Sequence, residues 1–150
     1  MTDNVIVSIR GCQRHGVNGP DEIELVTPAS LAREGHGRYT ISYEESALTG
    51  MEGTTTVLRF DNGRVTLLRE GNVNSQMVFE EGRRHLSMYE TPYGALSIGI
   101  KAKSVKNTVD ECGGDLEIDY AIDVNNVLLG RSKLSMNVKK DHGSKLELQQ

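Results

Sequence analysis

The sequence lacks the marks of several protein classes. Its 150 residues contain two cysteines, three prolines and no tryptophan, and 17 basic residues stand against 21 acidic ones. The formal net charge of -4 argues against a general binder of nucleic acids or anionic membranes, which would carry a basic stripe. No run of roughly eighteen apolar residues predicts a transmembrane helix. The start of the sequence, MTDNVIVSIRG, also lacks the basic and then apolar pattern of a secretory signal.

Metal and catalytic chemistry are likewise not predicted. Cys12 and Cys112 form neither a CxxC pair nor a metal-ligand spacing, which favours two free thiols in a reducing cytoplasm over the alternative of one disulfide. His15, His36 and His142 lie in glycine-flanked loops or near the end of the sequence, without a partner at ligand spacing. The Gly-x-Ser-x-Gly motif of a nucleophile elbow is absent. We therefore predict no catalytic residue, no metal and no cofactor.

Alternation of apolar and polar residues, interrupted by turn dipeptides, is the main pattern of the chain, and no helical stripe accompanies it. Typical breaks are Asn62-Gly63, Gly113-Gly114 and Asn125-Asn126. Ten strands are predicted, near residues 4–13, 21–32, 37–46, 53–61, 64–71, 75–80, 83–91, 94–106, 115–124 and 128–139. We expect a single domain over residues 1–140, followed by a polar tail at residues 141–150.

The predicted fold is all-β, a closed antiparallel up-and-down β-barrel of about 8–10 strands. Strands that follow one another in an open antiparallel sheet would leave two edges, and edges invite aggregation. Pairing the first strand with the last removes both edges. The interior of a barrel of this size is either filled by side chains or holds one small ligand.

Two hairpins predict a register that a structure can test. Asn62-Gly63 predicts a two-residue turn, in which both positions need positive φ. A three-residue loop is predicted at residues 125–127. The predicted pairs are Phe60–Val65, Leu58–Leu67, Thr56–Arg69, Ile122–Gly130, Ile118–Leu134, Leu116–Met136 and Asp119–Lys133. Apolar residues then oppose apolar residues, so the register is consistent with a buried inner face.

The outer face of the last three strands carries charges of alternating sign. The positions are Lys101 and Lys103 on one strand, Glu117, Asp119 and Asp123 on the next, and Arg131, Lys133 and Lys139 on the last. Opposite charges on adjacent strands are mutual partners. The pattern favours a solvated face over a binding patch.

The segment RRHLSMYETPYG, residues 83–94, does not fit one regular strand. Counting forward from the strand before it directs Leu86 and Met88 inward, whereas counting back from the strand after it directs His85 and Tyr89 inward. A one-residue slip exchanges the two faces of a strand. We therefore expect a bulge or a different loop length within this segment.

Several segments carry a family resemblance. They are YEES at residues 43–46, TGMEGTTT at 49–56, REG at 69–71, NSQMVF at 74–79 and YETPYG at 89–94. These segments resemble the YwiB-like family of small bacterial proteins, and the likeness extends from Val5 to about Lys139. The resemblance implies a calycin-like, lipocalin-like β-barrel in a cytoplasmic bacterial protein, and it implies no particular activity.

The candidate ligand-binding residues are Tyr43, Glu45, Arg69, His85 and Tyr89. Tyr43 and Glu45 share a strand face with an apolar neighbour, as does Arg69, so all three point inward if the apolar residues do. An inward arginine needs a carboxylate, because a lone buried charge is costly. One alternative is an internal Arg69–Glu45 pair that satisfies itself. A second is an anion or small polar ligand at the barrel mouth, which a tyrosine hydroxyl helps to orient. A third is that the charges point outward.

His85 has two interpretations. A neutral imidazole can act as an acid or a base near neutral pH. A solvent-facing or bulge-bonded histidine is the favoured interpretation, because no nucleophile accompanies it.

Three functions stay open, and no reaction is predicted. The favoured one is a non-catalytic barrel that binds a small hydrophobic, amphiphilic or anionic molecule in its interior. The first alternative is a packed barrel that acts through its surface as a protein-interaction or self-association module, with a homodimer as one form. The second is an enzyme that uses the polar cluster at the barrel mouth, for which the side chains must converge within about 3 Å of a common point.

Overall fold

Ten β-strands make up most of the described protein. The computed structural model describes residues 2–14, 20–46, 51–61, 63–72, 74–91 and 93–141, with the backbone alone at residues 2, 13–14, 20–23 and 89–91. The strands are β1 (Thr2–Arg14), β2 (Pro20–Gly35), β3 (Arg38–Glu44), β4 (Thr54–Asp61), β5 (Arg64–Gly71), β6 (Ser75–Glu80), β7 (Arg84–Thr91), β8 (Gly94–Asn107), β9 (Gly114–Val124) and β10 (Val127–Lys140). Every predicted strand is present, and the described ranges contain no helix that could cross a membrane. Beyond Asp141, the predicted polar tail lies outside the described residues.

The strands form a closed antiparallel barrel. Each strand pairs with its neighbours in sequence, and β1 pairs with β10. The β1–β10 ladder runs without a register shift from Val5 and Lys140 to Arg14 and Arg131. The predicted closed up-and-down barrel is therefore confirmed, and the described strands leave no free sheet edge.

Both predicted hairpin registers are confirmed. In β4–β5, Phe60 faces Val65 and Thr56 faces Arg69. In β9–β10, the predicted pairs are present from Gly130 onward. Inward apolar residues therefore meet across neighbouring strands, as the alternation predicts.

The predicted three-residue loop between β9 and β10 is wrong. Val124 pairs with Val127 across a two-residue turn, in which Asn125 and Asn126 have φ values of 52° and 68°. Asparagine tolerates these left-handed values, which the tight hairpin turn requires. A register shift beyond Leu128 supplies the residue that the shorter turn omits, so the pairing downstream is unchanged.

The predicted irregularity in residues 83–94 is present between β6 and β7. Ser75 pairs with Tyr89, whereas the turn between the strands pairs Glu80 with Arg83, a register one residue different. The β7–β8 ladder is continuous and sets His85, Ser87 and Tyr89 on the face of the buried Ile100. Of the two orientations that the sequence left open, the structure has the one that counts back from β8.

The apolar core fills one part of the interior. Its largest fully buried side chains are Phe60, Phe79, Ile41, Leu58, Ile100, Leu116 and Ile118. The inward face becomes polar along β4, β5 and β6, where Thr54 and Thr56, Arg69, and Ser75 take the inward positions. This change positions the candidate site at the end of the interior where β5 ends and β6 begins.

Candidate functional site

Polar side chains from five consecutive strands meet at one end of the barrel interior. We call this region the polar end. Its members are Tyr43, Glu45, Thr54, Thr56, Arg69, Ser75 and Ser87. Register brings them together, because Tyr43 pairs with Thr56, Thr56 with Arg69, and Arg69 with Ser75. Each lies on the inward face of the sheet, which outside β7 is also the face of the apolar core residues.

Glu45 and Arg69 are the charged pair of the polar end. Arg69 Nε lies 3.9 Å from Glu45 Oε2, and the side chains are 22% and 1% exposed. The Thr56 hydroxyl donates a hydrogen bond to the same carboxylate oxygen. The internal pair expected from the sequence is thus present. Its separation exceeds that of a hydrogen bond, so the pair does not satisfy the Arg69 Nε–H.

Tyr43 is a neutral hydroxyl donor beside this pair. Burial and the neighbouring Glu45 carboxylate raise the pKa of Tyr43 to about 12, and Arg69 opposes this effect. The hydroxyl therefore stays protonated across the physiological pH range. Thr56 and Glu45 are its hydrogen-bonding neighbours.

Three buried polar atoms of the polar end have no hydrogen-bond partner among the described residues: Arg69 Nε, Ser75 Oγ and Ser87 Oγ. Ser75 is 9% exposed and Ser87 is 4% exposed. They are close in the sheet, because Arg69 pairs with Ser75, and Ser75 pairs with Tyr89, two positions from Ser87 on the same face. A buried polar group left unbonded costs about 1–3 kcal/mol. Three neighbouring examples indicate a site suited to a hydrogen-bonding ligand group.

Tyr120 on β9 lies close both to the apolar core and to Arg69 of the polar end. Its ring packs edge-on against Phe79 with centroids 4.8 Å apart, although β6 and β9 are not neighbours in the sheet. Burial raises the pKa of the Tyr120 hydroxyl, while the Ser132 hydroxyl and the Arg69 charge act in the opposite direction. Side chains of β5 and β6 therefore reach across the interior towards β9 at this level.

His85 is not part of the polar end. Its Nε2 lies 3.0 Å from Glu80 Oε1, and this bond is the largest cause of the lowered pKa of Glu80. Glu80 pairs with Arg64, which is five positions from Arg69, or about 16 Å along β5. An enzyme at the barrel mouth requires side chains that reach a common point, and His85 is too far from Arg69 to be one of them.

The structure brings together three of the five candidate residues, namely Tyr43, Glu45 and Arg69. The side chain of Tyr89 lies outside the described residues, although its backbone pairs with Ser75 and Leu96 at the polar end. A role in binding stays a prediction for each of the five.

An apolar rim accompanies the polar end on β8. Leu96 pairs with Tyr89, and Ile98 pairs with Ser87, so both belong to the inward face. Leu96 is nevertheless 43% exposed, and Ile98 is only partly buried against the core. The interior is thus accessible to solvent beside Ser87, which is the arrangement expected of a mouth.

Sequence reasoning missed Thr56, Ser75, Ser87 and Tyr120 as members of the site. The predicted register already placed Thr56 opposite Arg69, and alternation along β6 placed Ser75 on the same face as Phe79. Tyr120 carried no such signal, because its approach to Arg69 crosses the barrel rather than following a ladder. In the described ranges, no three His, Cys, Asp or Glu side chains group in a way that could hold a metal ion.

Comparisons with known proteins agree with this barrel. Residues 7–136 match the profile of a domain of unknown function, DUF1934. The uncharacterized beta-barrel protein YwiB of Bacillus subtilis (strain 168) is 28% identical over 86 residues, which are 57% of this chain and 58% of that protein, so the match spans less than two thirds of its length. The crystal structure of the ywiB protein from Bacillus subtilis superposes with a TM-score of 0.81 at 18% identity, over 93% of each chain. These matches confirm the resemblance drawn from the sequence, and the structural match shows a shared fold.

Proposed function

The chain belongs to the DUF1934 family, and from that premise we propose that it is a barrel that binds one small amphiphilic molecule at the polar end of its interior. The ligand places a polar or anionic head group among Arg69, Ser75 and Ser87. Its apolar part lies along the rim formed by Leu96 and Ile98.

The observation that carries this proposal is the set of three buried atoms that find no hydrogen-bond partner on any described residue. Arg69 Nε–H is a donor, and the two serine hydroxyls can donate or accept. A carboxylate or phosphate oxygen satisfies all three, and a bond to the charged guanidinium is stronger than one between neutral groups. Because Glu45 already balances the charge of Arg69, a head group of one negative charge or none fits best.

Native mass spectrometry of gently purified protein tests the proposal. The wild type should carry a small molecule that dissociates on activation, and the double variant Ser75→Val, Ser87→Val should lose it. Gln76→Val is the matched control, because Gln76 is the exposed neighbour of Ser75 on β6 and points outward. Decanoate and decanol are then titrated into ligand-free protein by calorimetry. Decanoate should bind at least about tenfold more tightly than decanol, because its charged carboxylate accepts hydrogen bonds more strongly than a neutral hydroxyl does. If no mass co-purifies and decanoate does not bind, the proposal is wrong.

A second candidate function is self-association through the outer surface. Leu86, Met88, Leu128 and Leu129 are between 56% and 67% exposed. They lie on β7 and β10, with β8 and β9 between them, and exposed apolar side chains in such number favour a contact with protein. Light scattering should show a mass that rises with concentration and falls again for Leu86→Lys. A monomer at all concentrations rejects this candidate.

A cytoplasmic location stays a prediction, supported by the free thiols of Cys12 and Cys112.

A further inference from the structure

A groove of about 710 Å³ lies on the outer side of the barrel. Its lining residues come from β1, β8, β9 and β10 and from the turn between β6 and β7. The volume is in the range of small-molecule sites, which is roughly 300–1,000 Å³. Its charged lining residues point to the outer face, because they alternate along their strands with the inward-facing Ala102, Tyr120 and Ser132, which also line the groove.

Small residues form the floor of the groove, and the β6–β7 turn forms one wall. Ala121 is at the centre of the floor, where it pairs with Lys101 on one side and Arg131 on the other. Gly82 of the turn donates its N–H to the carbonyl of Ala102 at 2.9 Å, which holds the turn against β8. The groove is therefore shaped by backbone contacts that do not depend on a ligand.

The groove is strongly cationic although the protein is acidic overall. Lys101, Lys103, Arg131 and Lys133 line it, and Asp119 is the single acidic residue among the described lining residues. The formal balance within the groove is therefore positive, against a net charge of -4 for the whole chain. Such a concave positive surface attracts anions locally.

Most of this positive charge has no carboxylate partner among the side chains that the structure describes. Lys133 Nζ is bound to Glu117 at 2.7 Å, but Lys101, Lys103 and Arg131 form no ion pair within 4.0 Å with any described residue. The sequence predicted that opposite charges on adjacent strands form ion pairs. Of the four cations that line the groove, only Lys133 forms such a pair with a described residue. By contrast, in a second groove of about 570 Å³, Arg10 is bound to Glu24 at 2.6 Å.

We propose that this outer groove is an anion site that binds a small molecule through a phosphate group seated over Ala121. Lys101 and Arg131 flank Ala121 from adjacent strands, so their Cα atoms are about 10 Å apart, and both side chains can reach the space between them. A guanidinium binds two phosphate oxygens at once, and an ammonium adds a point charge. The small side chain of Ala121 leaves room for the phosphate, and Asp119 repels it from the Lys133 side.

Titration with inorganic pyrophosphate, followed by amide chemical shifts, tests the proposal. Shifts should saturate and centre on Ala121 and Arg131. Lys101→Ala and Arg131→Ala should each weaken the binding by about tenfold or more. Lys139→Ala is the matched control, because Lys139 is an exposed cation on the same strand but outside the groove, and it should leave the affinity unchanged.

Ala121→Glu supplies a second test that keeps every cation in place. A carboxylate on the floor should abolish the shifts while the spectrum stays that of the folded barrel. Equal affinity in the wild type and Arg131→Ala overturns the proposal, as does equal weakening by Lys139→Ala, which would indicate diffuse attraction to surface charge. Unchanged binding to Ala121→Glu overturns it as well.

Discussion

Ser75 and Ser87 place two hydroxyl groups in the barrel interior, and neither has a hydrogen-bond partner in the part of the chain that the structure describes. In ligand-free protein, each serine should make the fold less stable than an apolar residue at the same position would. The reason is that a buried hydroxyl without a hydrogen bond loses its water and gains no partner. We therefore expect Ser75→Ala and Ser87→Ala to raise the free energy of unfolding by about 1 kcal/mol each. Urea denaturation of refolded, ligand-free protein measures this.

The exposed Ser8 on β1 provides the control for those two variants. Ser8→Ala should change the free energy of unfolding by less than about 0.5 kcal/mol. Destabilisation by both interior variants would mean that the hydroxyls are bonded in solution, and the proposed ligand site would then lose its main support.

Tyr43 should make the barrel sensitive to alkaline pH. Its folded pKa of about 12 lies above the ordinary value of 10.0. The phenol is therefore ionised in the unfolded chain but neutral in the folded one between these values, so its contribution is complete below pH 10 and is lost as the pH rises through 12. The loss from this group is up to about 3 kcal/mol. Tyr43→Phe should flatten the fall in stability over this interval, measured by urea denaturation at stepped pH.

Tyr93 is the comparison for that measurement, because it is 99% exposed. Tyr93→Phe should keep the wild-type slope. Equal slopes for all three proteins would contradict the burial of Tyr43 at the polar end.

Gly99 has a packing requirement that the sequence does not reveal. Arg84 Nε and Nη2 donate to the Asp123 carboxylate at 2.9 and 2.7 Å, and this ion pair lies across Gly99. A Cβ at Gly99 would be 2.5 Å from Arg84 Nε and 2.6 Å from Asp123 Oδ2. Gly99→Ala should therefore displace the pair and lower the melting temperature by several degrees in a thermal scan.

Gly11 is the matched control for this substitution, since a Cβ built there meets nothing within 4 Å. Gly11→Ala should be neutral or slightly stabilising, because alanine has less backbone freedom to lose on folding. In an Arg84→Ala background, Gly99→Ala should have almost no further effect. An equal loss in both backgrounds would show that the ion pair is not the cause.

At the scale of elements, β6 and β7 have the fewest register pairs of any two neighbouring strands described. Their register pairs are Ser75–Tyr89 and, in the turn, Glu80–Arg83, with a shift of one residue between them, whereas β7 and β8 pair continuously. Alternate N–H groups of a β-strand point to opposite neighbouring strands. In β7, the amides that point to β8 are therefore hydrogen-bonded, whereas those that point to β6 are poorly bonded. Hydrogen exchange along β7 should therefore alternate between slow and fast residues, by about tenfold or more.

β5 is the reference strand for that experiment, because residues 64–69 pair continuously with both β4 and β6. Its amides should show no such alternation. Uniform protection along β7 would mean that the β6–β7 seam is bonded throughout in solution.

Hairpins were the elements that the sequence predicted best. The pairing of β4 with β5 follows from a short turn and the alternation of Leu58 and Phe60 with polar residues, both of which are local. The β9–β10 connection was harder, because a two-residue turn followed by a shift at Leu129 and a three-residue loop give the same pairing downstream. Register alone cannot distinguish them.

For the whole molecule, closure could be predicted but the contents of the interior could not. Pairing of β1 with β10 is the way in which ten sequential strands avoid two exposed edges. Strand tilt and shear determine which inward side chains meet across the barrel, and single residues do not determine these quantities. This is why Tyr120 near Arg69 was not foreseen, and why His85, although inward, proved to be far from Arg69.

The β1–β10 ladder also means that the order of the strands around the barrel has no intrinsic beginning. Asp141 N–H donates to the Asn4 carbonyl at 3.0 Å, and Lys140 Nζ lies 3.5 Å from Asp3 Oδ2. A circular permutant that joins Asp141 to Asp3 by a short glycine linker and opens the exposed turn between Asn125 and Asn126 should therefore fold to the same amide spectrum. If it aggregates instead, the hairpin at Asn125 is needed to start folding, and the closed ring of strands assembles from a preferred place.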